Sequence, residues 1–195
     1  MISLSEVRKN LAYYFTRPVV RLLAKTPIAP NAISWTGFLV TIGAAALIVT
    51  EQLFAAGLVI LIAGFFDILD GALARSTNRV TQFGAVLDAT LDRLSEAVLL
   101  LGILVLYARE PSVVGILVVG LALIGSLMVS YIRAKAEAMG LQCQVGLFTR
   151  AERVVVLALG FLLNQVIIAL AIIVVFSFIT VVQRLLYVWR QIKTS

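Results

Sequence analysis

Asp67-Ile-Leu-Asp-Gly-Ala-Leu-Ala-Arg75 and, after a polar connection, Gly84-Ala-Val-Leu-Asp88-Ala-Thr-Leu-Asp92 place four carboxylates in a chain that is otherwise largely apolar. On a helix, Asp67, Asp70, Gly71 and Ala74 share one face at i, i+3, i+4 and i+7. Gly84, Asp88 and Asp92 share a face of the next helix at i, i+4 and i+8. Ser76-Thr-Asn-Arg-Val-Thr-Gln82 between them reads as a turn. A connection that short predicts two antiparallel neighbouring helices with converging carboxylates.

The flanking sequence predicts a membrane protein. Of 195 residues, 62% are hydrophobic and 13% charged, against about half and a quarter in soluble domains. Asn31 to Thr50 is uncharged and long enough to cross a bilayer at about 1.5 Å per residue. Asn31 is the expected N-cap of this helix, after Pro27 and Pro30. A second apolar run leads from Gln52 into Asp67, its helix continuing to Arg75, and a third helix is expected over 83–107. Pro111 to Ile132 predicts a fourth span with a polar extension to Glu137, and residues 140–149 a glycine-containing loop.

Val154 to Gln183 holds 30 residues without a charge. As one helix it would be roughly 45 Å long, against about 30 Å of hydrocarbon, so two spans with a break near Asn164-Gln165 are expected. With six spans, the basic residues between Arg8 and Lys25, together with Arg75, Arg79, Arg133, Lys135, Arg150, Arg153, Arg184, Arg190 and Lys193, fall on one side. Only Arg109 falls on the other, near Glu51 and Glu110. The positive-inside rule then puts both termini in the cytoplasm. Residues 4–25 predict an amphipathic helix in the membrane interface, broken near Pro18. The first residues mix Glu6, Arg8 and Lys9 with apolar ones and are not expected to form a signal peptide. The expected architecture is all-α and integral to the membrane. It is a single domain over 1–195, with a juxtamembrane segment over 1–28 and a bundle of six transmembrane helices over 31–190.

Four apolar-embedded carboxylates repel one another and are costly to desolvate, so a cation must compensate. The chain has no histidine, which excludes histidine metal sites and bases, and its single cysteine, Cys143, excludes an internal disulfide. An all-aspartate set suits hard divalent ions, Mg²⁺ or Mn²⁺. Two such ions about 4 Å apart are suited to phosphoryl chemistry. Gly71, Ala74 and Gly84 would let a diphosphate approach the backbone, and Arg75 would clamp a phosphate oxygen. A cation or proton pathway is the competing use of such carboxylates. A purely structural membrane protein would have no use for them.

The segment 67–92 resembles the signature of the CDP-alcohol phosphotransferases, Asp-x2-Asp-Gly-x2-Ala-Arg-x8-Gly-x3-Asp-x3-Asp, at every fixed position and gap. The resemblance implies a six-helix membrane fold, usually dimeric, with an N-terminal juxtamembrane helix. It implies a two-ion site at Asp67, Asp70, Asp88 and Asp92, with Asp92 as the general base, and Gly71, Arg75 and Thr81 as contacts to the CDP-linked lipid. Pro30-Asn31-Ala-Ile-Ser34 resembles the family's stretch near the nucleotide.

Thr26-Pro-Ile, Phe83-Gly-Ala-Val-Leu-Asp-Ala-Thr, Ser130-Tyr-Ile-Arg-Ala-Lys-Ala-Glu137, Arg150-Ala-Glu-Arg153 and Val182-Gln-Arg184 are similar to the phosphatidylinositol phosphate synthases of actinobacteria. Arg133 and Lys135 stand in the reverse of the usual order, and Ala151 replaces a proline. Five basic residues, Arg133, Lys135, Arg150, Arg153 and Arg184, fall at helix ends on the expected cytoplasmic side. They suit an acceptor carrying its own phosphate. The expected reaction moves a phosphatidyl group from CDP-diacylglycerol to inositol phosphate, at the cytoplasmic face of the cell (inner) membrane. Glycerol 3-phosphate or another polyol is the alternative acceptor. Membrane lipid and a second copy of the chain are the expected partners, and nucleic acid is not.

Overall fold

The computed structural model describes all residues except 1–17, 25, 28, 110, 144 and 195. The described residues are helical with short connections and contain no strand. Helix α1 is described over 18–23. It is followed by α2 (Pro30–Val49), α3 (Leu53–Ser76), α4 (Gln82–Arg109), α5 (Val113–Ala138), α6 (Arg150–Leu162) and α7 (Val166–Thr194). Most of the amphipathic segment expected over 4–25, and any break just before Pro18, lies outside the described residues. Val20 of α1 is buried against Ile33, Leu69 and Leu73.

Local chemistry explains the helix limits. Pro30 is the first residue of α2 and Ala29 its N-cap, so Asn31 is inside the helix and does not cap it. Proline needs no N–H at that position and its fixed φ already suits the helix. Glu51, Asn78 and Asn164 take positive φ of 64°, 54° and 53° in the connections after α2, α3 and α6, which turns the chain sharply; asparagine tolerates that region better than most residues. The last of these is the break expected near Asn164-Gln165. Ser112 caps α5 by accepting from the Gly115 N–H at 3.1 Å. Thr149 and Glu152 form a reciprocal capping box that starts α6.

Among the described residues, four helices are long and apolar enough to cross a membrane: Pro30–Val49, Leu53–Ser76, Val113–Ala138 and Val166–Lys193. The other two of the expected six are different in kind. Helix α4 carries Asp88, Asp92, Arg93 and Glu96 in its first half, and α6 has only 13 residues.

The helices pack in an order unlike their order in the chain. Helix α2 packs against both α3 and α4, α4 against α5, α5 against α7, α7 against α6, and α6 back against α3. The main contacts thus close into a ring around a core that includes Ile48, Ile60, Leu100, Ile103, Phe161 and Leu170. The expected side-by-side pairing of α3 with α4 is therefore corrected: α2 stands between them. Small residues allow this close approach. A Cβ at Gly37 of α2 would lie 3.0 Å from Phe66 Cβ on α3, and one at Gly102 of α4 would lie 3.3 Å from the Ala45 carbonyl oxygen on α2. Such small-residue contacts drive helix association where lipid removes the hydrophobic advantage. The opposite end of the bundle is tied by Arg109 Nη1, which donates to the Val49 carbonyl at 2.5 Å.

Candidate active site

The four aspartates lie toward one end of the ring, those of α3 facing those of α4 across its interior. Asp70 is buried and accepts from the Ser34 hydroxyl at 2.6 Å. Asp67 and Asp92 are each about a quarter exposed and share one guanidinium: Arg150 Nη1 lies 2.7 Å from Asp67 Oδ2 and also contacts Asp92 Oδ1. Asp88 is exposed and within electrostatic range of Asp67, Asp70 and Asp92. Arg150, read from sequence as an acceptor-phosphate ligand, thus sits inside the carboxylate cluster. It is the first residue of α6, where a helix N-terminus disfavours positive charge. The carboxylates across from it supply the compensation.

Among the described residues, no three acidic side chains are drawn close enough together to hold one ion. The donor set is nevertheless entirely carboxylate oxygen, which suits a hard divalent cation. The cluster already gathers a cation, the Arg150 guanidinium, between two of its members. The residues therefore fit a divalent ion chemically, with Arg150 held where its positive charge is needed.

The residues expected at the donor separate into two small groups. Gly84 packs against Thr81 and Asn31: a Cβ on Gly84 would lie 2.9 Å from Thr81 Oγ1 and 3.2 Å from Asn31 Oδ1. The Thr81 hydroxyl caps α4 by accepting from the Gly84 N–H at 2.9 Å. Gly71 lies beneath Arg75, whose Nη1 would be 3.3 Å from an added Cβ. Ala74 is half-buried one turn below Asp70, and Ser34 joins these residues to the cluster through Asp70.

Beside Asp92 opens a cavity of about 160 Å³, lined by Asp92, Arg93, Glu96, Val129, Ser130, Arg133, Thr149, Arg150, Arg153 and Arg184. Four of the five basic residues singled out from sequence meet here; Lys135 is exposed and does not line the cavity. Their states differ. Arg133 is half-exposed and paired with Glu137 at 2.8 Å. Arg153 is buried and held by both oxygens of Glu96, at 2.5 and 2.8 Å. Arg184 is buried and donates to the Val145 carbonyl at 2.9 Å and to the Val129 carbonyl. Arg153 and Arg184 are thus structural anchors as well as cavity walls.

Arg93, Glu96, Ser130 and Thr149 escaped the sequence reading as site residues. Glu96 had a legible signal, since it continues the Gly84, Asp88, Asp92 series by one more step of four. Arg93 lines the cavity beside Asp92 and Glu96, and its Nη1 donates to the Ala89 carbonyl one turn back.

Comparison with known proteins points to one family. The family model described as CDP-alcohol phosphatidyltransferase matches residues 27–187. An archaetidylinositol phosphate synthase of Methanothermobacter thermautotrophicus is 37% identical over 91% of this chain and 94% of its own. A phosphatidylinositol phosphate synthase of Mycobacterium bovis is 35% identical over 90% of this chain and 86% of its own. Crystal structures of the Mycobacterium tuberculosis phosphatidylinositol phosphate synthase superpose at 33% identity. The form with CDP-DAG bound gives a TM-score of 0.81, covering 89% of this chain and 93% of that one. The complex with manganese and citrate gives 0.82, covering 89% and 88%. Aspartates set on two facing helices, at the spacing read from 67–92 and inside a match that spans most of the chain, place it in the CDP-alcohol phosphatidyltransferase family.

Proposed function

We propose that this transferase moves a phosphatidyl group from CDP-diacylglycerol to inositol phosphate, releasing CMP. The observation that carries the acceptor is the cavity beside Asp92, where one wall carries a candidate base and the others carry guanidinium groups. An acceptor with its own phosphate would seat that phosphate among Arg133, Arg150 and Arg184 and turn a hydroxyl toward Asp92. The names of the relatives agree on an inositol phosphate headgroup while differing in the lipid, archaetidyl or phosphatidyl.

Asp67, Asp70, Asp88 and Asp92 would hold two divalent ions, Mg²⁺ or Mn²⁺. When bound, these supply positive charge to the donor's diphosphate and to the departing CMP. The chain's residues do the rest. Ser34 orients Asp70. Asn31, Thr81 and Gly84 form one small-walled face for the nucleotide, and Gly71, Ala74 and Arg75 another for the diphosphate. Asp92 takes the acceptor's hydroxyl proton. The acceptor oxygen forms a bond to the lipid-side phosphorus as the bond from that phosphorus to the CMP oxygen breaks. Asp92 must come within hydrogen-bond reach of that hydroxyl for this step.

On this reading, residues 1–195 form one membrane domain, with residues 1–28 juxtamembrane and amphipathic. The bundle over 31–190 has six spans, α4 and α6 crossing beside the four more apolar helices. The active site and both termini face the cytoplasm at the cell membrane, and the working unit is a homodimer.

The test is incubation of the purified protein with CDP-diacylglycerol and Mg²⁺ or Mn²⁺, offering inositol, inositol phosphate and glycerol 3-phosphate in turn. Product mass should give phosphatidylinositol phosphate with inositol phosphate alone. A product only with glycerol 3-phosphate would reassign the acceptor. Cation flux in vesicles without CMP release would favour a transporter.

A further inference from the structure

Arg150 and Arg153 lie one helical turn apart on α6, yet they hold their carboxylates differently. Arg153 presents Nε and Nη2 as a fork to the two oxygens of one carboxylate, Glu96, the geometry in which an arginine–carboxylate pair is strongest. Arg150 places a single nitrogen, Nη1, against two different carboxylates, Asp67 on α3 and Asp92 on α4. Its Nε is buried without a hydrogen-bond partner, and a buried donor left unpaired is costly. The Arg150 guanidinium therefore serves as counter-charge to the cluster without being well seated in it.

Its backbone, by contrast, is fixed. The Thr149–Glu152 capping box starts the helix. Phe148 N–H donates to Thr180 Oγ1 and Leu147 N–H to Gln183 Oε1, each at 3.2 Å. Only the side chain is free to choose a partner, and Arg150 also lines the 160 Å³ basic cavity.

We infer that Arg150 is a displaceable counter-ion that couples the two halves of the active site. Its Nη1 bridges Asp67 and Asp92. When an ion takes those carboxylates, the guanidinium is released to the cavity and becomes a ligand for the acceptor's phosphate. Ion binding and acceptor-phosphate binding then strengthen one another, because linkage is reciprocal. The inference rests on the reading of the aspartates as an ion site and of the cavity as an acceptor site.

The experiment uses the full chain in detergent and Mn²⁺ alone, with free Mn²⁺ followed by electron paramagnetic resonance. Arg150→Met, which keeps the apolar stem, and Arg150→Gln are compared with Arg133→Met, which removes an equal charge from the same cavity. Both Arg150 variants should bind Mn²⁺ about five-fold or more tightly than the wild type, with Arg133→Met showing a smaller change. In calorimetric titrations with inorganic phosphate, Mn²⁺ should raise wild-type affinity about five-fold or more, and Arg150→Met should lose most of that gain. Mn²⁺ affinity that rises no more in the Arg150 variants than in Arg133→Met, or an undiminished phosphate gain in Arg150→Met, would overturn the coupling alone. A wild type that binds no Mn²⁺ would overturn the ion-site reading and the coupling with it.

Discussion

Arg153 of α6 and Glu96 of α4 form a two-pronged ion pair, with Nε and Nη2 at 2.5 and 2.8 Å from the two carboxylate oxygens and the arginine side chain 1% exposed. It joins two helices that are not neighbours in the packing ring and forms part of the cavity wall beside Asp92. Removing one partner leaves a charge buried and unpaired. Glu96→Gln or Arg153→Met should each destabilise the protein by about 3–5 kcal/mol, seen as a lower unfolding midpoint in detergent. The double variant Arg153→Met/Glu96→Leu should recover most of that loss while leaving acceptor affinity impaired.

Asp92 faces both the carboxylate cluster and the basic cavity. Asp92→Asn should keep CDP-diacylglycerol binding and reduce turnover about 10²–10⁴-fold, the range attributed to a positioned general base. CMP release measured beside equilibrium binding of the donor separates the two effects. Near-normal turnover would remove Asp92 from the base role.

The Ser34 hydroxyl is the hydrogen-bond donor to buried Asp70 across the α2–α3 contact. Outer residues that orient a ligand tune metal affinity by about 10–100-fold. Ser34→Ala should weaken Mn²⁺ binding by a factor in that range, while Ser34→Thr, which retains the hydroxyl, should weaken it less. A Mn²⁺ titration of both variants reads the difference directly.

Gly84 and Gly43 provide a matched comparison. A Cβ at Gly84 would press on Thr81 Oγ1 and Asn31 Oδ1, whereas one at Gly43 meets nothing within 4 Å. Gly84→Ala should raise the KM for the CDP-linked donor and cost about 0.5–2 kcal/mol of stability, since its Cβ would crowd the Thr81 hydroxyl that caps α4. Gly43→Ala should leave KM unchanged and be neutral or slightly stabilising, because alanine is the better helix former by about 1 kcal/mol.

The positions of the helices were legible because uncharged runs, prolines and asparagine turns are local signals. So was the grouping of Asp67 with Asp70 and of Asp88 with Asp92, which follows from 3.6 residues per turn. The insertion of α2 between α3 and α4 was not. It depends on Gly37, Gly102 and Ala45 meeting their neighbours at backbone distance, a complementarity that no single helix displays. The fates of the arginines were equally hidden: Arg133, Arg150, Arg153 and Arg184 are one residue type, all expected at similar helix ends, although Arg184 lies ten residues inside the end of α7. One pairs at the surface, one bridges two aspartates, one is locked to Glu96 and one holds backbone carbonyls. Partners decide these roles, and the partners lie from four (Arg133–Glu137) to eighty-three (Arg150–Asp67) residues away.

The loop before α6 is fastened by α7, through Thr180, Gln183 and Arg184. Since a ribosome delivers α7 after α3 and α4, the cluster at 67–92 is synthesised well before the segment that anchors Arg150 exists. A nascent chain stopped before Val166 already holds the four carboxylates, with Arg150 not yet held in place by α7. Completion of α7 therefore does more than close the ring of packing. It marks the moment in biosynthesis when the acidic centre first acquires its own internal neutraliser.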